Sequence, residues 1–225
     1  MARRYPSFFP QRLSSRVPAM AYVGGMEGDD TLTARWDTPL LAASNTNILN
    51  AQSVSSGTGT TTLSATYTGA ENQAGRWGRG VRLVASGAYA QVITVIGRDY
   101  LGQVMRENIT ANGTTPVLGL KAFRYIDQVL WAGTAAVTID LGFTNLLGFP
   151  HKFMSLINEV KNGALSANAG TFTAALATGT AATATNADVR GTYLPATVLP
   201  DGTNIFEVRY TADNQNLHGN RQFSG

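Results

Sequence analysis

The clearest pattern in the chain is alternation of apolar and polar positions. Val81-Arg82-Leu83-Val84 and Val92-Ile93-Thr94-Val95-Ile96 read as strands, with a turn over Gly97-Arg98-Asp99-Tyr100-Leu101-Gly102. Met105, Glu107 and Ile109 alternate with Arg106, Asn108 and Thr110, and Asn112-Gly113 supplies the next turn because both residues tolerate positive φ. Phe123 to Trp131 predicts a longer strand whose apolar phase slips near Tyr125-Ile126, as a bulge would produce. Val137, Ile139 and Leu141 alternate with Thr138, Asp140 and Gly142, and Phe206, Val208 and Tyr210 with Glu207, Arg209 and Thr211. The last of these predicts a final strand with one buried and one solvated face. Weaker alternation marks Thr31 to Trp36, Thr62 to Tyr67, and an island at Phe172, Ala174 and Leu176. No strong amphipathic helix is visible. The pattern predicts an all-β chain, an antiparallel sandwich or jelly-roll-like body. Val92, Val95, Ile109, Phe123, Ile139, Leu141, Phe206 and Val208 are its expected core.

The flanks read differently. Residues 1–26 predict an extended N-terminal arm: Pro6, Pro10 and Pro18 interrupt it, and proline fixes φ and removes a donor. The arm carries Arg3, Arg4, Arg12 and Arg16 with Tyr5, Phe8, Phe9 and Tyr22, and no acidic residue precedes Glu27. Such a segment is expected to order against a partner. Residues 27–75 are Thr/Ser/Gly-rich, with Ser53 to Thr62 read as a loop or exposed hairpin; residues 76–212 form the body, and 213–225 a polar tail.

Composition narrows the function. The 225 residues are enough to bury a sizeable core. Cysteine is absent, which removes disulfides, thiolate metal sites and a cysteine nucleophile. Charged residues make up 14% of the chain, against roughly 25% in ordinary soluble domains. A surface so poor in charge suits a chain covered by neighbours. The net charge of +3 is too small to argue for nucleic-acid binding. No run of about 18 apolar residues is present, so no membrane span is expected. The basic N-terminus lacks an apolar signal core, and the expectation is synthesis and retention in a cytoplasm.

Candidate chemistry is sparse. His151 and His218 are the two histidines, far apart in sequence, and read as surface or packing residues rather than a metal site. Gly28-Asp29-Asp30 reads as a solvated turn. Asp99, Glu107, Asp127 and Asp140 could pair as glycosidase carboxylates, but each reads better as a turn or the polar face of a strand. Phosphate-binding and hydrolase motifs are missing. No cofactor, metal, small-molecule substrate or catalytic residue is expected. Arg76-Trp77-Gly78-Arg79-Gly80-Val81-Arg82 is basic and aromatic; Arg76, Arg79 and Arg82 with Trp77 are read as subunit-bridging residues, with nucleic-acid contact as the alternative.

The segments Gly80 to Gly87, Ile93 to Gln103, Thr115 to Phe123, Leu147 to Lys152, Arg190 to Pro195, Pro200 to Thr203 and Leu217 to Gly219 resemble structural proteins of tailed bacteriophages. Within that class the chain is similar to capsid cement (decoration) proteins. The resemblance implies a non-enzymatic virion protein on the capsid exterior, assembled in the host cytoplasm. It implies two partners: the major capsid protein, and other copies of this chain in a homotrimer. The arm residues Arg3, Arg4, Tyr5, Phe8, Phe9, Arg12 and Arg16 would join Arg76, Trp77, Arg79 and Arg82 at those contacts. A tail or head–tail connector component is the alternative. A carbohydrate-binding or carbohydrate-cleaving virion protein is another, and would call for an exposed aromatic platform such as Trp36 or Trp131.

Overall fold

The computed structural model describes residues 30–37, 39–54, 74–133, 136–175, 188–213 and 216–222. Over these residues the chain is all-β, with every strand pairing antiparallel, and it includes a sheet curled into half a barrel. The expected arm, residues 1–26, and the strand at Thr62 to Tyr67 lie outside the described residues.

The central sheet is built on β8 (Thr138–Gly148), which pairs with β3 (Arg79–Ala85), β2 (Leu49–Ser53) and β12 (Thr192–Leu194). β6 (Val117–Leu118) and β11 (Thr171–Thr173) extend it at either side. A three-stranded sheet places β4 (Val92–Arg98) between β5 (Val104–Thr110) and β7 (Tyr125–Leu130). A four-stranded sheet runs β1 (Asp30–Trp36), β13 (Phe206–Ala212), β9 (Phe153–Lys161) and β10 (Ala164–Leu165). β1 and β2 thus belong to the body's sheets although they come from the Thr/Ser/Gly-rich segment, and Ser53 ends a strand rather than opening a loop.

Two apolar cores follow from these layers. Val81, Leu83, Ile139, Leu141 and Phe143 of the central sheet pack with Ile93, Val95, Met105, Ile109, Ile126 and Val129 of the three-stranded sheet. Trp36, Phe149, Phe153, Tyr193, Phe206, Val208 and Tyr210 form the second. In it Phe149 stacks on Phe153 with centroids 5.0 Å apart, and Phe172 on Tyr193 at 4.8 Å. β8 contributes to the first core through Ile139 to Phe143, and Leu147 beyond them enters the second.

Seven of the eight residues expected in the core are buried; Val92 is not, at 47% exposure. The reason is parity. Val92 and Val95 are three apart on one strand, so they point to opposite faces, and β4 buries Ile93, Val95 and Gly97 instead. Gly97 and Arg98 are strand residues, and the turn begins at Asp99. The register slip in β7 falls at Asp127: Ile96 faces Gln128 while Gly97 faces Ile126. Phe123 precedes that strand and bridges to Arg79. Within the polar C-terminal tail, Gln222 is buried and Leu217 packs on the second core.

Gly142 shows how tightly the layers close. A Cβ there would lie 1.8 Å from the Ser44 carbonyl oxygen, because the chain at Ser44 and Asn47 is hydrogen-bonded directly onto Phe143. Gly142→Ala should therefore destabilise the chain by about 1–3 kcal/mol through overpacking, read as a lower urea midpoint at unchanged slope.

Candidate functional site

Of the sequence-predicted contact residues, Arg76, Trp77, Arg79 and Arg82 are described, and they do not share one exposed patch. Arg3, Arg4, Tyr5, Phe8, Phe9, Arg12 and Arg16 lie outside the described residues. Arg76 is exposed, its guanidinium 4.7 Å over the Trp77 ring. Trp77 meets Tyr100 edge-on at 5.2 Å and donates its indole N–H to the Arg35 carbonyl at 3.3 Å. Arg79, expected at a subunit contact, is fully buried. Its Nε donates to the Thr144 carbonyl, its Nη2 reaches Asn145 Oδ1 at 3.4 Å, and burial lowers its pKa to about 10. These bonds fall where β8 carries extra residues against β3 opposite Gly80. Arg82 is partly buried in β3 opposite Gly142 and Leu118, and desolvation lowers its pKa.

Of the four acidic residues, Glu107 departs from the expected place. Asp127 does occupy an exposed strand face, gripped by Arg98 through bonds of 2.8–3.2 Å. Asp140 accepts the N–H of Ala51, a positive-φ residue in the bulge of β2. Asp99 and Glu107, however, are completely buried. Glu107 lies on the same side of β5 as Met105 and Ile109, so it faces the interior instead of forming a polar face.

These two acids belong to an internal polar network that sequence reasoning missed. Asp99 Oδ2 pairs with Arg190 Nη2 at 2.8 Å, while its Oδ1 accepts the N–H groups of Leu101 and Gln103, each at 2.9 Å. Asp188 accepts from Arg190 N (3.0 Å), Ala122 N (3.2 Å) and Gln222 Nε2 (3.5 Å). Glu107 accepts from Leu120 N at 2.6 Å and Lys121 N at 3.4 Å. Burial raises the Glu107 pKa to about 7 against the pull of those N–H groups and of Lys121; burial likewise lowers Lys121. A second buried group holds the neighbouring sheets: Glu159 pairs with Lys161 at 3.0 Å, accepts the Tyr193 hydroxyl, and takes Gly170 N at 2.8 Å.

The histidines are brought together. His151, in the turn between β8 and β9, and His218, in the C-terminal segment, have ring centroids 5.6 Å apart. Tyr210 Oη lies 3.2 Å from His151 Nδ1, and Tyr100 Oη lies 3.3 Å from His218 Nδ1. The Tyr100 hydroxyl donates to the Pro150 carbonyl, and its ring lies 4.9 Å from the Arg190 guanidinium carbon. Burial, then His218 and Arg190, lower the His151 pKa. Burial also raises both tyrosines. Among the described residues, no three His, Cys, Asp or Glu side chains gather closely enough to hold a metal ion.

Comparisons with protein-family models, with curated proteins and with solved structures find no match to this chain.

Glu107 makes stability depend on pH in a defined direction. Between pH 4.5 and about 7 the unfolded carboxyl ionises while the folded one keeps its proton, so the folded state binds more protons. This contribution to stability falls as pH rises through that window, by on the order of 3 kcal/mol in total, and is flat above it. In urea denaturation at several pH values, the difference between wild type and Glu107→Gln should carry this slope; equal pH profiles would exclude it.

Proposed function

We propose that the chain is a non-enzymatic structural subunit of a tailed-bacteriophage particle. In this reading it is a capsid cement protein, bridging major capsid proteins on the head exterior as a self-associating, trimeric unit. The supporting observation is the outer face of the three-stranded sheet. Arg98 stands opposite Val104 on one side and Tyr125 on the other, so the three side chains share a row. Val104 is 44% and Tyr125 41% exposed, and Val92 continues the apolar surface along β4. The Arg98 charge is balanced by Asp127, and its guanidinium lies 5.1 Å from the centre of the Tyr125 ring. A neutralised sheet face with exposed tyrosine, arginine and aliphatic groups has the composition of a protein contact surface.

The buried acids support the non-enzymatic part of the reading. Asp99, Glu107, Asp188 and Glu159 hold backbone N–H groups and internal cations, which is a structural task. The carbohydrate reading called for an exposed aromatic platform such as Trp36 or Trp131, and those two are buried. A tail or connector component would use the same sheet face, and copy number separates it from cement: near-stoichiometric with the shell for cement, one ring or tube for the other.

Deleting residues 1–26 should leave the β-type circular dichroism spectrum intact and weaken attachment to particles, because each arm aromatic buried on a neighbour contributes about 1.5–3 kcal/mol before ordering costs. Val104→Asp with Tyr125→Asp should shift sedimentation toward monomer without lowering the urea midpoint. Particles stripped of the protein should lose shell integrity at lower temperature. Unchanged shell stability, together with polysaccharide cleavage by the purified chain, would replace this reading with the carbohydrate one.

A further inference from the structure

We propose that His151 and His218 together bind one divalent transition cation of the nitrogen-preferring class, zinc or nickel, and that the ion clamps the C-terminal segment onto the turn between β8 and β9. The two side chains come from opposite ends of the second half of the chain, and both belong to segments outside the strands. Their separation suits a shared ion. A metal–nitrogen bond of about 2.0–2.1 Å and a near-tetrahedral angle put two imidazole centres about 5–5.5 Å apart. The observed distance is 5.6 Å, with the rings inclined at 39°.

The hydrogen bonds around the rings favour the same conclusion. Tyr100 gives its hydroxyl proton to the Pro150 carbonyl, so its oxygen accepts from His218 Nδ1–H. That assignment, made from the network, leaves His218 Nε2 with a bare lone pair. Tyr210 Oη lies 3.2 Å from His151 Nδ1, where either group can be the donor. A hydrogen-bond partner on one ring nitrogen, fixing tautomer and orientation while the other nitrogen takes the metal, is the usual support of a histidine ligand. Of the nearby cations, Arg190 pairs with Asp99 at 2.8 Å and Lys152 with Asp213 at 2.8 Å. Two protein ligands leave the remaining positions to solvent, which His218, being exposed, provides.

The chain contains two histidines, so the test is unambiguous. Nickel chloride and zinc chloride are titrated into the full-length protein at pH 7.5 by calorimetry. One saturable equivalent is expected, weakened at least tenfold in His218→Ala and in His151→Ala. Tyr100→Phe should weaken it about tenfold, since support of this kind contributes roughly 10–100-fold. Lowering the pH to 5.5 should weaken it further, because protons compete with the metal for imidazole nitrogens. Saturating cation should raise the melting temperature of the wild type and leave that of His218→Ala unchanged. His218 is exposed, so that variant keeps the fold and stays informative should His151→Ala unfold. Absence of saturable binding below millimolar concentration, or binding of equal strength in His218→Ala, overturns the proposal.

Discussion

Arg190 carries a full positive charge almost out of reach of solvent, and much of the loop structure is arranged around balancing it. Removing one side of a buried ion pair leaves an uncompensated charge costing about 3–5 kcal/mol. Here the carboxylates are served by loop backbone N–H groups, while Arg190 Nε and Nη1 are buried without a hydrogen-bond partner and the guanidinium lies 4.9 Å from the centre of the Tyr100 ring. Asp99 collects the N–H groups of Leu101 and Gln103 in the turn after β4. Asp188 collects Ala122 ahead of β7, Arg190 ahead of β12, and Gln222 near the C-terminus. Segments that no sheet ladder satisfies are held by carboxylates instead, and these carboxylates link elements of both apolar cores.

This network explains where sequence reading succeeds and where it fails. Strands β3, β4, β5 and β13 alternate cleanly because one face of each is apolar, and period-two patterning reports that face directly. The polar network is invisible to the same method. Asp99, Glu107, Lys121, Asp188 and Arg190 are scattered along the chain, and each alone resembles an ordinary turn or strand residue. One signal existed: Glu107 falls in phase with Met105 and Ile109, an acid on the apolar side of a strand. His151 and His218 offered no comparable cue, since their meeting depends on how the C-terminal segment returns past Tyr100. β2 was hidden by its bulge at Ala51 and by polar residues on both faces.

Charge is scarce in this chain and unevenly distributed. Arg79, Asp99, Glu107, Lys121, Glu159, Lys161, Asp188 and Arg190 are all buried. These are four cations and four anions, so their burial thins the charge on the described surface without changing its net charge. Some of the charge that remains outside is paired within the chain, as Arg98 is with Asp127.

β9 failed to show alternation for a different reason, and that reason bears on how the chain can change. Its ladder with β13 shifts twice: Asn158 and Leu156 face successive residues, as do Ser155 and Phe153. Ile157 and Met154 are the supernumerary residues, and both are exposed. With those two set aside, Phe153, Leu156, Glu159 and Lys161 fall on one side and Ser155, Asn158 and Val160 on the other. Loss of one codon at either position would thus shorten the strand while leaving every other side chain on its own face, whereas a deletion elsewhere in β9 would turn part of it inside out. Length, normally the most rigid property of a strand, is here a variable open to evolution at two sites.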